Sequence, residues 1–176
     1  MIEVDISKEM LDHAKIRAEK LGTLRNSITK GEGNIAGILG ELAVQKVMGG
    51  EIKDTRNYDI LLPDETKVDV KTKRCRSQPS PHYECSISDY NTMQKCDKYI
   101  FVRVLENYTK AWILGSKEKE KYYNEATFIQ QGQLDPSNGW RAKCDCWNLP
   151  ITNLDPITPF DNGTEEPLAC SQMLPE

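Results

Sequence analysis

The sequence predicts an α/β (α+β) fold: a central mixed sheet of four to five strands flanked by helices. Three observations predict it. Apolar residues recur at helical spacing over residues 7–48, residues 67–74 alternate with period two, and two apolar runs, residues 99–105 and 110–115, read as paired strands. The order is helix, helix, two or three strands, helix, two strands, which layers helices on a sheet.

The first helix spans Ser7 to Leu24. Met10, Leu11, Ala14, Ala18 and Leu21 form its apolar stripe, and Ser7 has the hydroxyl of an N-cap. Residues 26–33 read as a loop with two glycines. The second helix runs from Asn34 to Met48 with Ile35, Ile38, Leu39, Leu42, Ala43 and Val47 on its buried side, and Gly49-Gly50 stops it. Gly37 and Gly40 lower its propensity, so close packing against a neighbour is expected there. A hairpin follows: Tyr58 to Leu62, a turn at Pro63-Asp64-Glu65-Thr66, then Lys67 to Arg74, where Val68, Val70 and Thr72 face one way and Asp69, Lys71 and Lys73 the other. Residues 77–81 form a loop, and Ile87 to Cys96 reads as a short helix capped by Ser88. Tyr99 to Leu105 and Lys110 to Gly115 are the apolar strand pair, turning at Asn107-Tyr108. Lys117 to Ala126 is helical, and Trp140 and Trp147 are expected to cover the core edge. Five of the nine prolines fall at or after Pro150, so residues 151–176 are expected to be an irregular tail. No linker divides the chain. It reads as one domain over residues 1–150, with an N-terminal helix in 1–30 and the core in 31–115.

The chain has 176 residues, 38 % hydrophobic and 28 % charged, the profile of a globular protein whose core needs no disulfide staples. No signal-peptide pattern and no apolar run of ~20 residues occur, so a cytoplasmic location away from membranes is expected. Asn162-Gly163-Thr164 fits a glycosylation acceptor, which has no use without secretion. In a reducing compartment Cys75, Cys85, Cys96, Cys144, Cys146 and Cys170 are expected to be free thiols, and Cys144-Asp145-Cys146 lacks zinc-knuckle spacing.

Net charge is −4, which by itself does not mark a nucleic-acid binder. Its distribution is uneven. Six bases against three acids lie in residues 6–30, and four of the six residues from Lys71 to Arg76 are basic. Residues 77–176 carry nine bases against fourteen acids. A local basic surface on an acidic chain is what a groove for phosphates requires.

Asp59 sits on one strand of the hairpin and Asp69-Val70-Lys71 on the next. Neighbouring strands lie ~5 Å apart, and Asp69 and Lys71 share a face, ~7 Å apart along the strand. Two carboxylates and an amine would gather there, with Glu41 on the preceding helix as a third acid. Carboxylate oxygens and water suit Mg²⁺. A metal at such a place acidifies water and bridges phosphate oxygens, and a lysine beside it orients the attacking water and offsets developing charge.

The run Gly37-Ile38-Leu39-Gly40-Glu41-Leu42-Ala43, then Asp59, then Asp69-Val70-Lys71, resembles the PD-(D/E)XK nuclease superfamily over residues 35–115. The resemblance implies a restriction-endonuclease-like core and Mg²⁺-dependent hydrolysis of DNA phosphodiester bonds, with Mn²⁺ as substitute. It implies Glu41, Asp59, Asp69 and Lys71 as the catalytic set, with Glu41, Asp59, Asp69 and the Val70 carbonyl as metal ligands. Tyr58 stands where the family motif has proline. An Asp-X-Lys triplet alone is far more often an exposed ion pair; the ordered helix, hairpin and strand pair give it weight. Lys73, Arg74 and Arg76 are expected to contact nucleic acid. Gln94 reads as a helix-surface amide within reach of the site, His82 and Glu84 as loop residues near the groove, and Tyr83, Tyr90 and Tyr99 as stacking or packing aromatics. Two alternatives stay open: a dimeric, structure-selective enzyme of the Holliday-junction-resolvase kind, and a nucleic-acid-binding module that does not cut. Targeting is expected to come from homodimerisation, a partner or substrate shape.

Overall fold

The computed structural model describes residues 1–21, 33–53 and 55–160. Its elements are β1 (Ile2–Asp5), α1 (Lys8–Leu21), α2 (Gly33–Met48), β2 (Glu51–Ile52), β3 (Ile60–Leu61), β4 (Lys67–Cys75), β5 (Glu84–Ser88), β6 (Lys98–Leu105), β7 (Lys110–Glu118), α3 (Lys119–Glu125), β8 (Thr127–Ile129) and β9 (Cys146–Pro150). The fold is α+β around a mixed sheet in the order β1-β7-β6-β4-β3-β2, with a second sheet ordered β5-β9-β8. Among the described residues only β4 and β6 pair in parallel.

The six-stranded sheet is a middle layer. Ile100, Val102 and Val104 of β6 and Val68 of β4 join Leu39, Leu42, Ala43 and Val44 of α2 in one core. The alternate residues Tyr99 and Phe101, with Trp112 and Leu114 of β7, join Tyr122 of α3 and Cys85, Ile87 and Leu149 of the second sheet in another. This period-two division is why β6 and β7 read as continuous apolar runs: both faces are covered. The Tyr122 hydroxyl lies 2.8 Å from the Cys85 carbonyl and 2.7 Å from that of Trp147, tying α3 to β5 and β9.

Several expectations meet their geometry. Ser7 caps α1, its Oγ accepting from the Met10 N–H at 3.2 Å. Gly49 and Gly50 follow α2 at φ 71° and 88°. The turn at 63–66 closes through Thr66 N–H to Asp64 Oδ1 at 3.0 Å. Gly40 packs so closely on β4 that an added Cβ would lie 2.0 Å from Thr72 Oγ1. A Cβ at Gly37 would meet nothing within 4 Å among the described residues, so the packing argument holds for one of the two helical glycines.

Other segments differ. Residues 87–96 do not form the helix read from sequence. Glu84–Ser88 is a strand paired with β9, followed by a single 3₁₀ turn at Asp89–Asn91 in which the Ser88 hydroxyl caps nothing. Cys85 and Ile87 are buried while their neighbours are half-buried, a period-two pattern in which five residues decide the outcome. The short strands β1 and β2 were not anticipated; β1 pairs with β7, and β2 with β3. The sheet therefore has six strands rather than four or five. Trp147 packs on the second core, whereas Trp140 is 42 % exposed and covers no core. The described part of the tail is docked: Ile151 is buried, the Lys117 amine donates to the Asn153 carbonyl at 3.0 Å, and Asp155 bridges Ser116. Residues 22–24 of the first helix, the 26–32 loop, Cys170 and residues 161–176 lie outside the described residues.

Candidate active site

The hairpin ends abruptly, and that ending organises the site. β3 pairs with β4 through Ile60↔Val68 and Leu61↔Lys67 only. Asp59, just before β3, donates its N–H to the Val68 carbonyl at 2.8 Å and accepts the Lys53 N–H on its own carbonyl at 2.7 Å. Its carboxylate then takes the place of the missing strand: Val70 N–H donates to Asp59 Oδ2 at 2.7 Å. In an extended strand the N–H and C=O of one residue face the same edge, so the Val70 carbonyl opens beside the Asp59 carboxylate.

Asp69, next on β4, is buried at 2 % exposure on the face of the second core. Its Oδ2 lies 2.6 Å from Lys71 Nζ, an ion contact whose angles fall short of a hydrogen bond. The Lys71 amine also donates to Gln94 Oε1 at 2.8 Å and sits 5.7 Å above the centre of the Tyr99 ring. Gln94 is held in turn by Lys119, whose amine donates to the Gln94 carbonyl. Lys71 is thus fixed by a carboxylate, an amide and an aromatic face, which leaves little of its rotamer freedom.

Glu41 reaches the site from the opposite face of β4. Gly40 brings the α2 backbone against Thr72, and Glu41 follows it. Its Oε2 lies 2.6 Å from Nη1 of Arg17 on α1, with both side chains 16 % exposed. The three acids therefore do not share one sheet face. Asp69 comes from one side of β4 and Glu41 from the other, with Asp59 between them at the open edge.

Asp59 registers this arrangement. Burial, then the Asp69 and Glu41 carboxylates, push its pKa up to about 8, against the Val70 N–H and Lys71, which lower it. A carboxyl held neutral by crowding among acids is a place where added positive charge would be stabilising. The donors on offer, carboxylate oxygens and a backbone carbonyl, are those of a hard divalent cation. Among the described residues no three His, Cys, Asp or Glu side chains form a ready-made ligand group. Asp59, Asp69 and the Val70 carbonyl fit a cation that keeps several waters, as Mg²⁺ does; Glu41 would have to exchange Arg17 for it.

The remaining sequence candidates separate. Lys73 lines a cleft beside Lys71. Solvent reaches the Lys73 side chain, yet the surrounding protein and then the Arg103 guanidinium bring its pKa down to about 8. Arg74 and Arg76 line a neighbouring hollow, and Arg76 is 89 % exposed with Nε 3.5 Å from Glu106. His82 and Tyr83 are exposed beside the cleft, and Glu84 accepts from the Ser137 hydroxyl at 3.1 Å. Tyr90 is 84 % exposed, but Tyr99 is fully buried and cannot stack on a base. The five described cysteines are free; burial pushes the Cys85 thiol up to about 12 and the Cys96 thiol to about 11, so both are inert thiols.

Of two further residues of the site, Gln94 was read from sequence only as a helix-surface amide within reach, and Arg17 was not chosen. Gln94 lies in a loop, not on a helix, and no periodicity marks it. Arg17 is one of several bases in α1; its place at i+3 from Ala14, which is fully buried, is the one local sign that it turns inward. Compared with models of known protein families and with curated proteins, the sequence matches none.

Proposed function

We propose that this chain is a divalent-metal-dependent nuclease on a restriction-endonuclease-like core, hydrolysing DNA phosphodiester bonds with Asp59, Asp69, Lys71 and Glu41. One observation carries the reading: the Asp59 carboxylate closes the free edge of β4 on Val70 N–H, beside the Asp69–Lys71 pair. Two acids, a carbonyl and a fixed amine at one strand edge form a constellation that an ordinary hairpin has no need to bury. Mg²⁺ bound there would acidify a water and neutralise a phosphate oxygen. Lys71, held between Asp69 and Gln94, has the amine that would align that water and offset charge on the phosphate in the transition state. Asp59 and Asp69 would hold the cation, with Glu41 as a third acid once released by Arg17.

The pairing of Glu41 with Arg17 favours a second reading, a module on the same core that binds nucleic acid without cutting. One assay separates the two. Purified protein with Mg²⁺ or Mn²⁺ is offered single-stranded, duplex and branched DNA beside Asp69→Ala and Lys71→Ala. Cutting by the parent and at least about 100-fold slower cutting by both variants is the expected result, the scale on which positioned groups act. Equal activity in all three preparations refutes the site. Binding without cutting in any of them replaces the enzyme with the module.

A further inference from the structure

Lys71 does not end the basic surface. It lines a half-open cavity of about 340 Å³ between β4–β6 and the second sheet, with Lys73, Arg103, Trp140 and Lys143 among its walls. That volume is at the low end for a small-molecule site: room for one base and not for a stack of base pairs. The cavity continues into a second hollow through Lys73, Ser86, Arg103 and Trp140, and that hollow into a third through Tyr83 and Arg103. The three form one trough along β4, from Lys71 past Lys73 to Arg74 and Arg76. At ~3.3 Å per residue the five steps from Lys71 to Arg76 cover ~16 Å.

Trp140 stands at the junction of the first two hollows. It is 42 % exposed and belongs to no core, yet it is not loose. Its backbone N–H donates to Asn138 Oδ1 at 2.8 Å and its backbone carbonyl accepts from Asp135 N–H at 2.7 Å. Asp135 is itself buried, accepting from Asn148 Nδ2 at 2.7 Å. These bonds fix the backbone of the turn from which Trp140 lines both hollows. Two acids border it against these bases: Glu84, whose Oε1 accepts from the Ser137 hydroxyl while its Oε2 has no partner among the described residues, and Glu106, 3.5 Å from Arg76.

We propose that the trough carries a single polynucleotide strand, with one unstacked base lodged against Trp140 in the cavity beside Lys71, and that intact duplex is excluded from it. Bases track along aromatic platforms in positively charged grooves, and stacking needs no particular sequence. The inference rests on the nuclease reading only for the place of the scissile phosphate at Lys71; strand binding is separate from cutting.

The test is therefore a binding measurement in EDTA, where a metal-dependent enzyme does not cut. Fluorescence anisotropy is followed for labelled oligothymidylate, oligouridylate and a blunt duplex of equal length. The parent is expected to bind one or both single strands more tightly than duplex, and the two single strands tell DNA from RNA. Trp140→Ala is expected to weaken single-strand binding at least about 5-fold, the low end of base–aromatic stacking, while Trp140→Phe keeps most of it. A melting curve confirms that each variant is folded, and Lys143→Gln, on an exposed side chain, gives a second loss if Trp140→Ala is unfolded. Duplex bound as tightly as single strand, or no loss in the folded variants, overturns the proposal and leaves the Asp69→Ala and Lys71→Ala assay untouched. Loss of strand binding in Trp140→Ala beside unaltered cutting by Asp69→Ala would leave the trough standing and remove the active site.

Discussion

At the scale of single residues, Asp59 carries the most information, because its proton reports the balance of charge at the edge of β4. Its folded pKa of about 8 stands above the ordinary 3.8. Below the ordinary value both folded and unfolded chains hold the proton, and folding loses nothing. Between the two values the folded state keeps a proton that the unfolded chain releases, so stability falls as pH rises and levels off above about 8. Asp59→Asn removes the titration and can still accept the Val70 N–H. It is expected to melt above the parent at pH 8, with the advantage gone below pH ~3, where the carboxyl is neutral in both states. Mg²⁺ at pH 8 is expected to raise the melting temperature of the parent and not of Asp59→Asn, since a ligand stabilises only the state that binds it. A parent and a variant that melt alike at every pH would show the carboxyl to be uncrowded. Asp59, Asp69 and Lys71 were legible in the sequence because a period-two strand beside a turn fixes which residues can meet. Gln94 was legible only as a weak candidate, since its contact is made across 23 residues of chain by a loop without periodicity.

At the scale of elements, α2 and β4 set the site together, and Gly40 is their point of contact. Alanine there would improve helix propensity by about 1 kcal/mol. Its methyl would meet Thr72 at 2.0 Å from Oγ1, 3.0 Å from Cβ and 3.1 Å from Cγ2, so no rotamer of Thr72 clears it. Overpacking of this kind costs about 1–3 kcal/mol and wins over propensity. Gly40→Ala is expected to lose stability in denaturant titrations and to lower activity by moving Glu41, with Thr72→Ala in the same chain restoring part of both. A neutral or stabilised Gly40→Ala would mean that helix and strand are not in register contact. Long elements with a full period were read from sequence: α1, α2, β4, β6 and β7 stand within a few residues of their expected places. Of the two- to five-residue strands only β3 was, because the turn beside it marks the hairpin. β1 and β2 are too short for a pattern to show, and in β5 the polar Glu84-Cys85-Ser86-Ile87-Ser88 is held by β9, sixty residues away, which outweighs any local preference.

At the scale of the whole molecule, net charge −4 means that the proposed binding of a polyanion would rest on local rather than global attraction. The trough makes this measurable, because each phosphate neutralised on a single strand contributes ~0.7 to the slope of log K against log salt. Arg76 is 89 % exposed at the far end, with its Nε 3.5 Å from Glu106. An arginine so placed would meet a strand by exchanging a weak surface pair for a phosphate, which costs little. Arg76→Gln is therefore expected to weaken oligothymidylate binding and to flatten the salt slope by ~0.7, one phosphate's share. Trp140→Ala, which removes a stacking surface and no charge, is expected to weaken binding with the slope unchanged. The two substitutions act on different axes of one plot: charge sets the slope and stacking the height. If both variants shifted the slope, or neither did, the basic residues along β4 would be a solvated face, and the trough would have no strand to carry.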